Sequence, residues 1–208
     1  MPLESPMMSV MASTSAEAMH RITEVLFADA RSALDLTYGL GGFWKFPHPT
    51  IEVVGLDLDP ARGLDLVADY RSTGLPDASF DLVAFDPPYI SNPSHSGTSV
   101  MASRFGSFAN VRELEESVRA GTREAWRLCR LGIVVKVQNH MHGGKFVHMT
   151  RWVMEEIPEP VYDEVHVLSN KLIDSKWTVQ LSAWRNHSTY TIFRKGSQTH
   201  ARSRSRSQ

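Results

Sequence analysis

Apolar positions recur at two different periods along this chain of 208 residues, and the change from one to the other predicts its elements. Thr14-Ser15-Ala16-Glu17 reads as a capping box opening a helix, followed by Met19, Ile22, Val25 and Leu26 at helical spacing. Short, nearly continuous apolar runs then predict buried strands: Ala33 to Thr37, Ile51 to Leu56, Leu66 to Ala68, Phe80 to Phe85 and Ile133 to Val137. Arg112 to Arg130 carries Leu114, Val118, Ala125 and Leu128 along one side of a long predicted helix. Phe146 to Ile157 predicts another, stopped by Pro158, and Val161 to Leu168 and Tyr190 to Arg194 predict two last strands. Apolar strands separated by helical patterns predict an α/β fold with a mostly parallel sheet, seven-stranded, covered by helices on both faces.

Composition narrows this picture. At 208 residues the chain is of single-domain size, and its 42% hydrophobic content supports an ordinary core. Residues 1–13, rich in Met, Ser and Pro, are expected to be disordered, as is the Arg/Ser-rich tail 197–208, leaving 14–196 as the domain. Cys129 is the one cysteine, so no intramolecular disulfide forms, and a cytoplasmic location is expected (that of the host for a phage-encoded chain). No basic leader followed by an apolar stretch opens the chain, and no run approaches a membrane span. The net charge of −1 hides an asymmetry: residues 1–100 hold five Lys/Arg against thirteen Asp/Glu, while the remainder is basic. A cationic half suits a polyanionic partner.

The candidate chemistry collects at strand ends. The run Phe80 to Phe85 ends on Asp86-Pro87-Pro88-Tyr89. Two prolines cannot donate ladder hydrogen bonds, so the strand stops there, bracketed by a carboxylate and a phenol. Acceptors beside an aromatic face suit a planar molecule bearing an exocyclic amine. The Ala33 strand runs into Asp35-Leu36-Thr37-Tyr38-Gly39-Leu40-Gly41-Gly42, whose glycines let backbone approach a ligand closely. Asp57 and Asp69 end the next two strands, and an acid placed like Asp57 accepts from ribose hydroxyls in nucleotide sites. Ligands of such sheets bind beyond the carboxyl ends of the strands, where all of these residues fall.

On these motifs the chain resembles the class I S-adenosylmethionine-dependent methyltransferases, and among them the amino-methyltransferases of nucleic acids. The resemblance spans about residues 35–194. Asp35 to Gly41 looks like the cofactor motif D-x-F-x-G-x-G, with Thr37 where phenylalanine is usual. It implies a Rossmann-like fold with one antiparallel strand near the C-terminus, and S-adenosylmethionine as cofactor. Asp35, Thr37, Tyr38, Gly39, Gly41, Asp57 and Asp69 are implied to bind that cofactor, and Asp86, Pro87, Pro88 and Tyr89 to be catalytic. The expected reaction is N6 methylation of adenine in DNA, after the base is flipped out of the stack. Methylation of RNA amino groups or cytosine N4, and a catalytically silent binding subunit, are the alternatives.

Against the family's pattern, residues 43–50 contain Pro47 and Pro49 and leave room for barely one helical turn, and the link from Asp59 to Leu66 is equally short. Trp44 and Lys45 are candidates to cover the cofactor. The polar stretch 90–111 is expected to close over the flipped base, Arg104, Lys145 and His187 to bind the substrate, with Lys145 near phosphates, and Lys171, Lys176 and Arg185 to extend a phosphate-contacting surface. His140, His142 and His148 have metal-like spacing, but no cysteine or carboxylate joins them, and no metal is expected.

Overall fold

The computed structural model describes residues 7–64, 66–89, 108–168 and 186–196. Arg104, most of the 90–111 stretch, Lys171, Lys176, Arg185 and the tail 197–208 lie outside the described residues.

In chain order the elements are β1 (Val10–Ala12), α1 (Ser15–Leu26), β2 (Ser32–Asp35), β3 (Glu52–Asp57), a 3₁₀ turn (Pro60–Arg62), β4 (Leu66–Val67) and β5 (Phe80–Phe85). There follow α2 (Val111–Leu128), β6 (Cys129–Val137), β7 (His140–His142), β8 (Lys145–Val147), α3 (Met149–Glu156), β9 (Asp163–Leu168) and β10 (His187–Arg194). The predicted capping box forms at α1: Thr14 Oγ1 accepts from the Glu17 amide, and the Glu17 carboxylate accepts from the Thr14 amide. Asn110 caps α2 through its side-chain Oδ1, which accepts from the Glu113 amide.

The main sheet has the order β1-β9-β10-β6-β5-β2-β3-β4. All of its pairings are parallel except those of β10, which runs against both β6 and β9. Alternation along the central strands sorts the core into two layers. Ala33, Leu82, Ala84, Val134, Tyr190 and Ile192 meet Ala18, Met19 and Ile22 of α1 on one face. Leu34, Val83, Phe85, Ile133, Val135 and Phe193 meet α2 and α3 on the other, through Leu114, Val118, Ala125, Leu128, Met149, Trp152 and Val153. Full burial of one such side chain contributes on the order of 1.5–3 kcal/mol. Arg119 fastens α2 to α3 through Glu155 and Glu156, at 2.7 and 2.8 Å.

Three expectations change. The sheet has eight strands rather than seven, because residues 10–12, expected to be disordered, add β1 to the outer edge of β9. The unpaired edge of β9 supplies the reason: the His166 amide donates to the Ser9 carbonyl at 2.7 Å, and the ladder continues from Val10 to Ala12. Antiparallel pairing is not confined to one strand, since β7 and β8 form a hairpin of their own. That hairpin also shortens the helix expected over 146–157. Gly143 and Gly144 both take positive φ, 54° and 76°, as a two-residue hairpin turn requires, so Phe146 and Val147 become strand.

The connections β2–β3, β3–β4 and β4–β5 contain nothing longer than the 3₁₀ turn among the described residues. Side chains from the loops cover the sheet in place of helices. Phe43 and Trp44 pack on the α1 face, and Tyr70 and Leu75 on the other. Glu124 of α2 holds the second loop by accepting from the Thr73 amide and hydroxyl, at 2.8 and 2.6 Å.

Candidate active site

The parallel strands β2, β3 and β5 all point their carboxyl ends at one edge, which brings Asp35, Asp57 and Asp86 together around the glycine loop. Asp35 is buried as the last residue of β2. Its Oδ1 accepts from the Thr37 amide at 3.0 Å and its Oδ2 from the Trp44 indole at 2.8 Å. Burial pushes its pKa up to about 7; the two donors pull against that, and the charges of Asp86 and Asp57 add to it. The carboxyl is thus protonated more readily in the folded than in the unfolded chain. The stability this contributes is complete below about pH 4 and is lost as pH rises through about 7. Trp44→Phe removes one donor and raises the pKa further, so its melting temperature is expected to fall more steeply than that of the wild type between about pH 5 and 9.

The turn after β2 is built around glycine. Gly39 and Gly41 take φ of 53° and 68°. The Tyr38 ring lies where a Cβ on Gly55 would stand, 2.6 Å from its Cγ, so Gly55 on β3 seats the tyrosine. Asp57 Oδ2 accepts from the Gly39 amide at 3.1 Å, and Oδ1 from the Asp59 amide at 2.9 Å. Each oxygen keeps a lone pair, and the residue is half-buried, so Asp57 remains able to accept from hydroxyls of a ligand.

Thr37 explains the departure from phenylalanine. Its hydroxyl accepts from the Asp86 amide at 2.9 Å, stitching the glycine loop to the Asp86 turn across neighbouring strands. Asp86 Oδ2 meets Lys136 Nζ at 2.6 Å. Asp86 Oδ1 is buried and has no hydrogen-bond partner among the described residues. Burial pushes the Asp86 carboxyl above the ordinary carboxylate range, with Lys136 pulling it back. Tyr89 is half-buried beside them, and burial and the Asp86 charge raise its pKa.

Lys136 went unassigned from the sequence, although a signal existed: a lysine inside Ile133-Val134-Val135-Lys136-Val137 is a charge in a buried strand, which is rare without a partner. Phe85 pairs with Val135, so the residues following each, Asp86 and Lys136, come side by side. Other expected residues stand elsewhere. Asp69 follows β4 but is clamped by Arg71: Oδ1 accepts from the Arg71 amide and Nε, and Oδ2 from Nε and Nη2. Contact with an adenine amine would require Arg71 to withdraw. Lys145 opens β8 and lines a groove with Phe146, His148 and Trp152 between the hairpin, α2 and α3. His187 opens β10; because β10 is reversed, it stands at the same sheet edge as Asp86, two strands away, with its ring 5.5 Å from that of His166. Lys45 is exposed, and His140 and His142 lie on β7 with His148 at the residue before α3.

No family model matches the chain, and no curated protein does. Solved structures do. TrmN from Thermus thermophilus aligns at a TM-score of 0.52 and 16% identity, over 86% of this chain and 48% of its own. The chain therefore spans about half the length of TrmN. Thermoplasma acidophilum 1320 aligns at 0.51 and 18% identity, over 86% of this chain and 88% of its own. A SAM dependent methyltransferase from Archaeoglobus fulgidus aligns at 0.48 and 12% identity, over 88% and 95%, a likeness too slight to carry weight. The fold is Rossmann-like. At such identities the likeness concerns the fold alone. The mostly parallel sheet with its reversed strand near the C-terminus is what the methyltransferase resemblance implies.

Proposed function

We propose that the protein transfers a methyl group from S-adenosylmethionine to the exocyclic amine of a nucleic-acid base, adenine N6 in DNA before RNA amines or cytosine N4. The observation that carries this reading is Asp86 Oδ1. A buried carboxylate oxygen is costly without a partner, and that Oδ1 has none among the described residues supports its being an acceptor kept for a ligand donor.

The residues present fit the cofactor. The turned backbone at Gly39 and Gly41 admits close approach, and Asp57 offers free lone pairs to ribose hydroxyls. S-adenosylmethionine, when bound, supplies a methyl group on a positively charged sulfur. The chain's task is then to make the amine a nucleophile. An aromatic amine is a poor one because its lone pair is delocalised into the ring. With Asp86 Oδ1 accepting one N–H and the Pro87 carbonyl the other, the nitrogen becomes more tetrahedral and its lone pair is released. Tyr89 supplies a ring against which the flipped base stacks, a contact that contributes on the order of 1–3 kcal/mol. Holding both reactants in register contributes on the order of 7–11 kcal/mol of rate acceleration. Asp86 can take up the amine's proton only when ionised, so transfer is expected to rise with pH through its elevated pKa and to fall away below it.

Isothermal calorimetry with S-adenosylmethionine tests the cofactor half of this reading. Asp57→Ala loses the ribose acceptor and the anchor of the Gly39 amide, so its affinity is expected to fall about tenfold or more. Unchanged affinity in Asp57→Ala places the ribose elsewhere, and absence of binding by the wild type removes the methyltransferase reading.

A further inference from the structure

Lys136 is buried, and its ammonium is enclosed by the active-site turn and by aromatic rings. It meets Asp86 Oδ2 at 2.6 Å and lies 5.5 Å from the centroid of the Phe43 ring, just past the glycine loop. Tyr190 of β10 is its partner across the β6–β10 ladder. Phe43 and Tyr190 are themselves 6.0 Å apart, so strands β6 and β10 and the glycine loop all border one ammonium.

Resting on the methyl-transfer reading above, we propose that Lys136 is a positioning residue for this reaction: its ammonium holds Asp86 Oδ2 and so presents Oδ1 alone to the amine of the bound base. A lone buried aspartate could rotate either oxygen toward the substrate. One engaged by a fixed cation at one oxygen and anchored through its amide by Thr37 has a single orientation. The same pairing decides the charge of the acceptor. Burial favours a protonated carboxyl at Asp86, and Lys136 opposes it. Burial likewise disfavours the ammonium, but the Asp86 charge more than offsets this and lifts the Lys136 pKa, so the lysine is a permanent cation and no proton acceptor. Tyr89 and Tyr190 stay neutral, since burial raises both phenols, Tyr190 to about 12. Among the described residues of this cluster, Asp86 Oδ1 is then the acceptor that can take the proton the amine gives up as the N–CH₃ bond forms and the S–CH₃ bond breaks.

The test is the pH profile of single-turnover methyl transfer in the wild type, Lys136→Met and Lys136→Arg, with the ¹³C carboxyl signal of Asp86 followed in each. In Lys136→Met the acid limb is expected to move up by about one unit or more, so that the rate near neutrality falls about tenfold and returns as pH is raised. Affinity for S-adenosylmethionine is expected to stay within about twofold, because binding does not use this pair. Lys136→Arg, which keeps the charge, is expected to hold the limb near its wild-type position. The Asp86 carboxyl signal titrates at higher pH in Lys136→Met and not in Lys136→Arg. A loss equal at every pH, or a carboxyl signal that does not move in Lys136→Met, overturns the proposal. A wild type that transfers no methyl group sinks the methyltransferase reading instead, and the carboxyl signal still decides whether Lys136 governs Asp86.

Discussion

Asp86→Ala is expected to bind S-adenosylmethionine as the wild type does and to transfer its methyl group about 10²–10⁴-fold more slowly. Both halves follow from position. The Asp86 side chain meets Lys136 and its Oδ1 has no partner among the described residues, whereas the turn that would hold the cofactor is fixed by Asp35 and Asp57. Its backbone amide, which bonds Thr37, survives the substitution. The variant also strands the Lys136 ammonium, buried and without its counter-charge, which is expected to cost about 3 kcal/mol of stability. Asp86→Ala combined with Lys136→Met removes both charges. It is expected to regain most of that stability, measured by denaturant unfolding, and none of the transfer rate. Recovery of transfer in the double variant would mean that Asp86 acts only by neutralising the lysine.

Gly132→Ala is expected to be the most damaging single methyl addition in the sheet. A Cβ at Gly132 would lie 2.2 Å from the Phe193 carbonyl oxygen and 3.1 Å from the Arg194 Cα, both backbone atoms of the paired strand β10. Backbone in the middle of a ladder cannot step aside as a side chain can, so the β6–β10 pairing itself must open. Overpacking of this kind costs roughly 1–3 kcal/mol where neighbours give way, and a backbone clash belongs at or above the top of that range. Because β6 carries Lys136 beside Asp86, the methyl is expected to reduce transfer as well as the melting temperature. Gly42→Ala is the control: nothing stands within 4 Å of a Cβ there, and the melting temperature is expected to stay put. A wild-type melting temperature for Gly132→Ala would contradict the observed register.

Much of this arrangement was legible in the chain. Central strands buried on both faces left continuous apolar runs, and the Thr14 capping box and the double proline fixed two boundaries from local chemistry alone. What escaped depended on partners distant in sequence. Residues 10–12, Val-Met-Ala, are apolar but too short a run to predict a strand, and they become one because β9 offers an edge. The Gly143-Gly144 turn was visible as a dipeptide, yet the helical spacing of the residues after it masked the hairpin. The same limits apply to the candidate site. Asp35, Asp57 and Asp86 were legible because strand ends share one edge in a parallel sheet. The Arg71 clamp on Asp69 and the Trp44 bond to Asp35 depend on loop paths that no spacing encodes. Lys136 was visible as a charge in an apolar strand, and only the β5–β6 register gave it a partner.

The measurement closest to the central claim is transfer of an isotopically labelled methyl group from S-adenosylmethionine to double-stranded DNA, single-stranded DNA and RNA. Each product is then digested to nucleosides and read by mass spectrometry. Label is expected on an exocyclic amine, on N6-methyladenine from DNA first of all, and is expected to be lost in Asp86→Ala. Label on RNA alone would keep the chemistry and overturn the choice of polymer. Label on a ring carbon or a sugar hydroxyl, or undiminished transfer by Asp86→Ala, would rule out amine methylation at Asp86.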